Sequence, residues 1–275
     1  MVRFVFEDVK NCLHTTTYKF LFGIYMLLCM SGFFLTVKKE YGEYRQLIRP
    51  FGQYFILEST SCGGFVGYSI ILIPFIAIFV YALQTIYERK KGISYTILLR
   101  TTKRRYIWGR GIAIFIVNFM TIFIPLVVNY LLCMIAFPKE GLDNKFGVAP
   151  YDVFNQYKPD KLFDMLRIQH PILYDWILIL MLSLTVAGLA ILAYGITCIV
   201  NYSKHHYMVI GLYITLGIYA LAAVGTMFKL PFLNYLNFVQ ESQQVQVGGL
   251  LLFWLILYGV GLSLIGIGRK LYEEL

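Results

Sequence analysis

The chain has 275 residues, of which 59% are apolar and 14% charged, with a mean hydropathy of +0.67 and a formal net charge of +9. Soluble domains carry about 25% charged residues. This composition therefore describes a chain that resides in lipid, and it excludes most soluble enzyme classes, most nucleic-acid binders and any disordered-tail reading.

From the N-terminus, Val2, Val5, Val9 and Leu13 recur at helical spacing while Arg3, Glu7, Lys10 and His14 occupy another face. That pattern predicts an amphipathic helix able to lie in the membrane interface. Residues 1–19 contain Glu7 and Asp8 and no apolar run, so they are not read as a signal peptide, and the first apolar run is expected to stay in the mature chain.

A spanning helix needs about 20 largely apolar residues. Six segments meet that length, near 20–37, 65–87, 111–137, 176–200, 207–228 and 250–268, and none contains Asp, Glu, Lys, Arg or His. The fold expected is all-α and integral to a membrane. It is a single transmembrane domain over 1–275, with six spans, an N-terminal amphipathic interfacial helix, a cytoplasmic helix between spans two and three, and sizeable external loops. Fourteen of the 24 basic residues fall in 1–19, 88–110, 201–206 and 269–275, and the positive-inside rule then places both termini in the cytoplasm of a multi-pass plasma-membrane protein.

Inside the spans, Gln84, Asn118 and Asn129 serve either as interhelical hydrogen-bonding groups or as substrate contacts. Ala187, Gly188, Ala190 and Ala193, with Gly259, Gly261, Gly266 and Gly268 and the pair Gly63 and Gly67, allow close approach of helices. On the opposite side from the termini, 38–64 and 138–174 are rich in Tyr and Phe, 160–169 reads as a short amphipathic helix, and 231–238 forms an aromatic excursion before the last span. Their aromatic residues suit interfacial belts or the lining of an amphipathic or peptide substrate route.

The chain lacks HExxH, GxSxG and any Gly-Lys dipeptide, so neither a zinc protease, a serine hydrolase nor a P-loop is suggested. The five cysteines, Cys12, Cys29, Cys62, Cys133 and Cys198, contain no CxxC pair, which argues against a zinc site or a disulfide framework. No catalytic, metal or cofactor site is assigned to this chain.

Order becomes informative in the loop 88–110. Glu88 ends the second span, Gly92 breaks the helix, Ile97, Leu98 and Leu99 form a compact apolar group, and Arg104, Arg105 and Gly109-Arg110 lead into the third span. Basic anchoring to anionic lipid would account for the charges alone; Ile97, Leu98 and Leu99 can in addition turn a compact apolar face outward. Glu88 has Arg104, Arg105 or Arg110 as its ion-pair partner.

This loop, with the six-span layout, resembles the ABC-2 family of ATP-binding-cassette permeases, whose loop carries Glu, a charged pair, Gly-Thr, a Leu-Leu pair, Arg and Gly-Lys. Here Gly92 is followed by Ile93 and Ser94, Thr101 and Thr102 stand where Pro is frequent, and Gly109-Arg110 replaces Gly-Lys. The resemblance implies that 94–102 is a coupling helix docking on an ATPase subunit, with Glu88, Gly92, Ile97, Leu98, Leu99, Arg104 and Arg105 as its contact and hinge residues. It further implies a homodimer or heterodimer of permease chains in the bilayer, ATP and Mg on the separate subunit, outward movement of a peptide, lipid or drug-like substrate, and no nucleic-acid partner. The competing expectation is a non-transport membrane enzyme or sensor whose basic loop binds lipid headgroups or another partner.

Overall fold

The computed structural model describes residues 2–43, 48–58, 63–99, 101–139, 162–199, 207–228 and 247–273, and among them every regular element is helical. In chain order the helices are α1 (Val2–His14), α2 (Thr16–Glu40), α3 (Gly63–Phe79), α4 (Gln84–Lys90), α5 (Ile93–Leu98), α6 (Lys103–Ala136), α7 (Asp164–Gln169), α8 (Pro171–Ile199), α9 (Tyr207–Met227) and α10 (Val247–Glu273). Six stretches are long and apolar enough to cross a membrane: Thr16–Glu40, Ile71–Lys90, Lys103–Ala136, Pro171–Ile199, Met208–Met227 and Gly248–Lys270. The chain thus has the architecture of a multi-pass membrane protein.

Three boundaries differ from the expectation. Span two is bent: a turn at residues 80–83, held by Gln84 N to Tyr81 O at 3.1 Å and Ile86 N to Leu83 O at 3.0 Å, separates α3 from α4. Helix α9 reaches this bend because Gly211 leaves room for Leu83, whose Cδ1 lies 2.5 Å from where a Cβ would stand. The third span starts at Lys103, eight residues before its apolar run, so the basic residues expected as a turn form its first helical turn. Thr102 is the extended residue that precedes α6, and α5 therefore closes at Leu98, short of the expected 94–102.

The core centres on α8, which packs against α10, α6 and α3. Small residues set the α8–α10 approach. A Cβ on Gly195 would lie 2.8 Å from the Gly261 carbonyl oxygen, and one on Gly268 would lie 2.5 Å from Cys198 Cβ. Trp254 Nε1 donates to Thr185 Oγ1 at 3.2 Å and the Tyr258 hydroxyl to the Leu184 carbonyl at 2.6 Å across the same seam. Gly259 and Gly266 face open space, so close packing inside the chain uses only part of the small-residue set.

The polar span residues divide by role. Asn129 joins three elements, donating to the Cys29 carbonyl at 2.8 Å and accepting from Ile56 N at 3.2 Å. Asn118 bonds its own helix at Ile114 O and Gln84 its own helix at Glu88, so among the described residues neither makes an interhelical bond, one of the two roles expected. At the end of the bundle away from the termini, a 3-10 turn (Phe51–Tyr54) and the residues after it are buried, with Phe51 and Phe55 edge-on to Tyr130 and Tyr54 stacked on Phe137. These aromatics fill core and form no interfacial belt. Of the expected amphipathic helix 160–169, Asp164–Gln169 is helical, while its start, the excursion 231–238 and Cys62 lie outside the described residues.

Gly195→Leu should lower the thermal unfolding midpoint in mild detergent, with an overpacking cost of about 1–3 kcal/mol or more because backbone stands in the way. Gly266→Ala, which meets open space inside a helix, should leave stability unchanged or raise it by up to about 1 kcal/mol through the better helix propensity of alanine.

Candidate functional site: a buried arginine beneath the loop between spans two and three

The loop and both its flanking helices meet the N-terminal helix at one side chain. Arg110 lies two turns into α6 and is 1% exposed. Its Nη1 is 3.1 Å from Asp8 Oδ1 on α1, and its Nη2 is 2.7 Å from Glu88 Oε1 on α4. The guanidinium sits over the Tyr81 ring at 4.6 Å from the centroid, and the Tyr81 hydroxyl donates to Asp8 Oδ1 at 2.6 Å. A planar fork can meet two carboxylates while its flat face lies on an aromatic ring, a fixed arrangement that the compact ammonium of lysine does not reproduce.

Each partner arrives for a local reason. Asp8 occupies the face of α1 that also carries Phe4 and Cys12, spaced one turn apart, and this face packs on α6. Gly109 makes that approach possible, since a Cβ there would lie 2.7 Å from Phe4 Cδ1. Tyr81 belongs to the turn inside span two. Glu88 is in the last turn of α4, whose end is fixed by Gly92 at φ +73°, a left-handed conformation that favours glycine. The Gly109-Arg110 pair thus does two jobs, admitting Phe4 and binding Asp8.

Electrostatically the cluster holds one cation between two carboxylates. Burial pushes the Asp8 carboxyl up, against the pull of Arg110 and the Tyr81 hydroxyl. The same burial pushes the Cys12 thiol up to about 12, which makes it a small apolar side chain and no nucleophile. Among the described residues, no group of three His, Cys, Asp or Glu side chains gathers as a metal-ligand set.

The residues singled out from sequence separate into two sets. Glu88 takes Arg110 among its three candidate partners. Arg104 and Arg105 are exposed in the first turn of α6. There their charge opposes the helix dipole, so their placement does not serve the stability of α6. Ile97 and Leu98 are half-buried against the bundle, whereas Leu99 is 88% exposed. The compact apolar group therefore consists of a seat, Ile97 and Leu98, and a projecting residue, Leu99. Arg89 ties the α4 arm to α8 through the Thr197 carbonyl at 3.5 Å.

Asp8 and Tyr81 carried no role in the sequence reading. The available signal was an acidic residue one turn from Phe4 and Cys12, on a face separate from the other charges of α1. Tyr81, in the middle of an apolar run, gave none, because its position depends on the bend.

Comparison with family models, with curated proteins and with solved structures finds no match to this chain.

Arg110→Met would leave Asp8 and Glu88 as buried carboxylates without a counter-charge, so stability should fall by about 3–5 kcal/mol. Arg110→Lys should recover only part of that loss, because the charge is kept but the planar fork that holds Asp8 and Glu88 on separate nitrogens is not. Thermal unfolding of the purified variants in detergent checks both statements.

Proposed function

We propose that this chain is the membrane subunit of an ABC-2 type exporter, driven by ATP hydrolysed on a separate nucleotide-binding subunit. The observation that carries this reading is the construction of the loop between spans two and three: its arms are fastened by the Glu88–Arg110 pair while Leu99 projects from its end. A short helix held at both ends can pass on a rigid-body push that a slack loop would absorb. In this reading α5 is the coupling helix, Leu99 enters a groove of the ATPase, and the exposed Arg104 and Arg105 flank that contact.

The orientation follows from charge. The basic residues of the loop lie on the cytoplasmic side, both termini are cytoplasmic, and α1 lies along the inner interface. Two permease chains, identical or different, work with two ATPase subunits, and closure of the ATPases moves the coupling helices together. The substrate class is peptide, lipid or drug-like. The rival reading is a non-transport membrane enzyme or sensor whose loop, with exposed Lys90, Lys91, Arg104 and Arg105, binds lipid headgroups or another partner; for lipid headgroups the contact rests mainly on charge.

Leu99→Asp should abolish co-purification of the ATPase in mild detergent, because it removes an apolar contact worth roughly 1.5–3 kcal/mol on full burial and places a carboxylate in the groove. Lys90→Gln with Lys91→Gln should retain the partner, since solvated charges contribute little to a short-range fit. Retention of the ATPase by Leu99→Asp with its loss in the lysine variant would transfer the contact to the basic cluster. Absence of any ATPase from the wild-type preparation would remove the exporter reading.

A further inference from the structure

Helix α1 has three faces where a simple amphipathic helix has two. Phe4, Asp8 and Cys12 face the protein, and Arg3, Glu7, Lys10 and His14 are exposed on a polar face. Between them runs a stripe at positions 2, 6, 9 and 13, one per helical turn. Val2 is 85% exposed, Phe6 71% and Leu13 41%, with Val9 half-buried in the middle. Phe6 joins the row expected from sequence, while Val5 and, in part, Val9 turn toward the core.

This stripe continues into the first span, where Phe20, Leu27 and Phe34 are exposed at seven-residue intervals. That row belongs to a helix long and apolar enough to cross the bilayer, so hydrocarbon covers it. The apolar stripe of α1 therefore meets the same leaflet where the row begins. Along the polar edge of α1 stand Arg3 and Lys10, with Glu7 as the acidic residue, paired to Arg3 at 3.2 Å, and Lys19 follows in the first turn of α2; all three basic residues are exposed.

We infer that the outer faces of α1, together with the first turn of α2, form a binding surface for anionic lipid, with Val2, Phe6 and Leu13 seated at the acyl–headgroup boundary and Lys10, Lys19 and Arg3 on the phosphates. A helix with apolar and basic stripes side by side draws its membrane affinity from both, and each basic residue near an anionic surface adds to it. The opposite face of this helix carries Asp8, so the leaflet and Arg110 hold α1 from two sides. Anionic lipid thereby steadies the arm that fastens the loop. The lipid contact requires only that the chain spans a bilayer, so it stands apart from the exporter reading.

Hydrogen exchange of the α1 amides in nanodiscs of phosphatidylcholine, with and without phosphatidylglycerol, tests this surface. Exchange should be slower by on the order of tenfold with the anionic lipid. The gain should vanish at raised salt and in the Arg3→Gln, Lys10→Gln, Lys19→Gln variant, whose three altered side chains are all exposed, while α6 amides stay unchanged. Phe6→Asp should speed α1 exchange in both lipids. Equal exchange in the two lipids, an undiminished gain in the triple variant, or an unaltered Phe6→Asp profile would each overturn the assignment.

Discussion

A guanidinium withdrawn from water must recover its hydration from the protein, and that requirement organises one end of this molecule. Arg110 has 1% of its surface exposed, and stripping an ion of water costs several kcal/mol even after relaxation. Two carboxylates and a tyrosine ring supply the return. Because these partners come from α1, the bend of span two and α4, satisfying one side chain fixes three chain segments against α6.

The geometry around it follows. Gly109 lets α1 come close enough for Asp8 to reach Arg110, and Gly92 turns the chain after α4 so that α5 can return toward α6. Arg89 carries the connection to α8, which is itself closely packed against α10 by glycines. At the far end Asn129 plays a comparable joining role with neutral hydrogen bonds. The molecule thus has a charged fastening beneath the loop and a neutral one at the opposite end. Movement of the loop would pass first through the charged one.

Much of this architecture is legible in the sequence because lipid imposes a simple rule: a run of about 20 apolar residues without charge becomes a helix. All six spans, the α1 helix and the break at Gly92 follow from such local signals. What escapes is the register of charges at the span ends. Arg110 reads as a flank of span three by composition, yet the helix starts at Lys103, so the residue is carried inside the protein. Asp8 is hidden for the reverse reason, since two-faced periodicity does not register a third face packed on a neighbour. The bend at 80–83, and with it the placement of Tyr81, arises from tertiary packing against α9 and α1. Leu98 and Leu99 look alike in sequence, and only the turn after α5 distinguishes the seated residue from the projecting one.

The central claim is that Arg110 fixes α1 relative to the loop. Spin labels at the exposed positions Lys10 and Lys91, in a background with its native cysteines replaced, report that relation directly by pulsed electron resonance in nanodiscs. One narrow distance distribution is expected with Arg110 present and a broad or shifted one in Arg110→Met. An unchanged narrow distribution in that variant would show that apolar packing alone sets the position of α1, and would contradict the role given to the arginine.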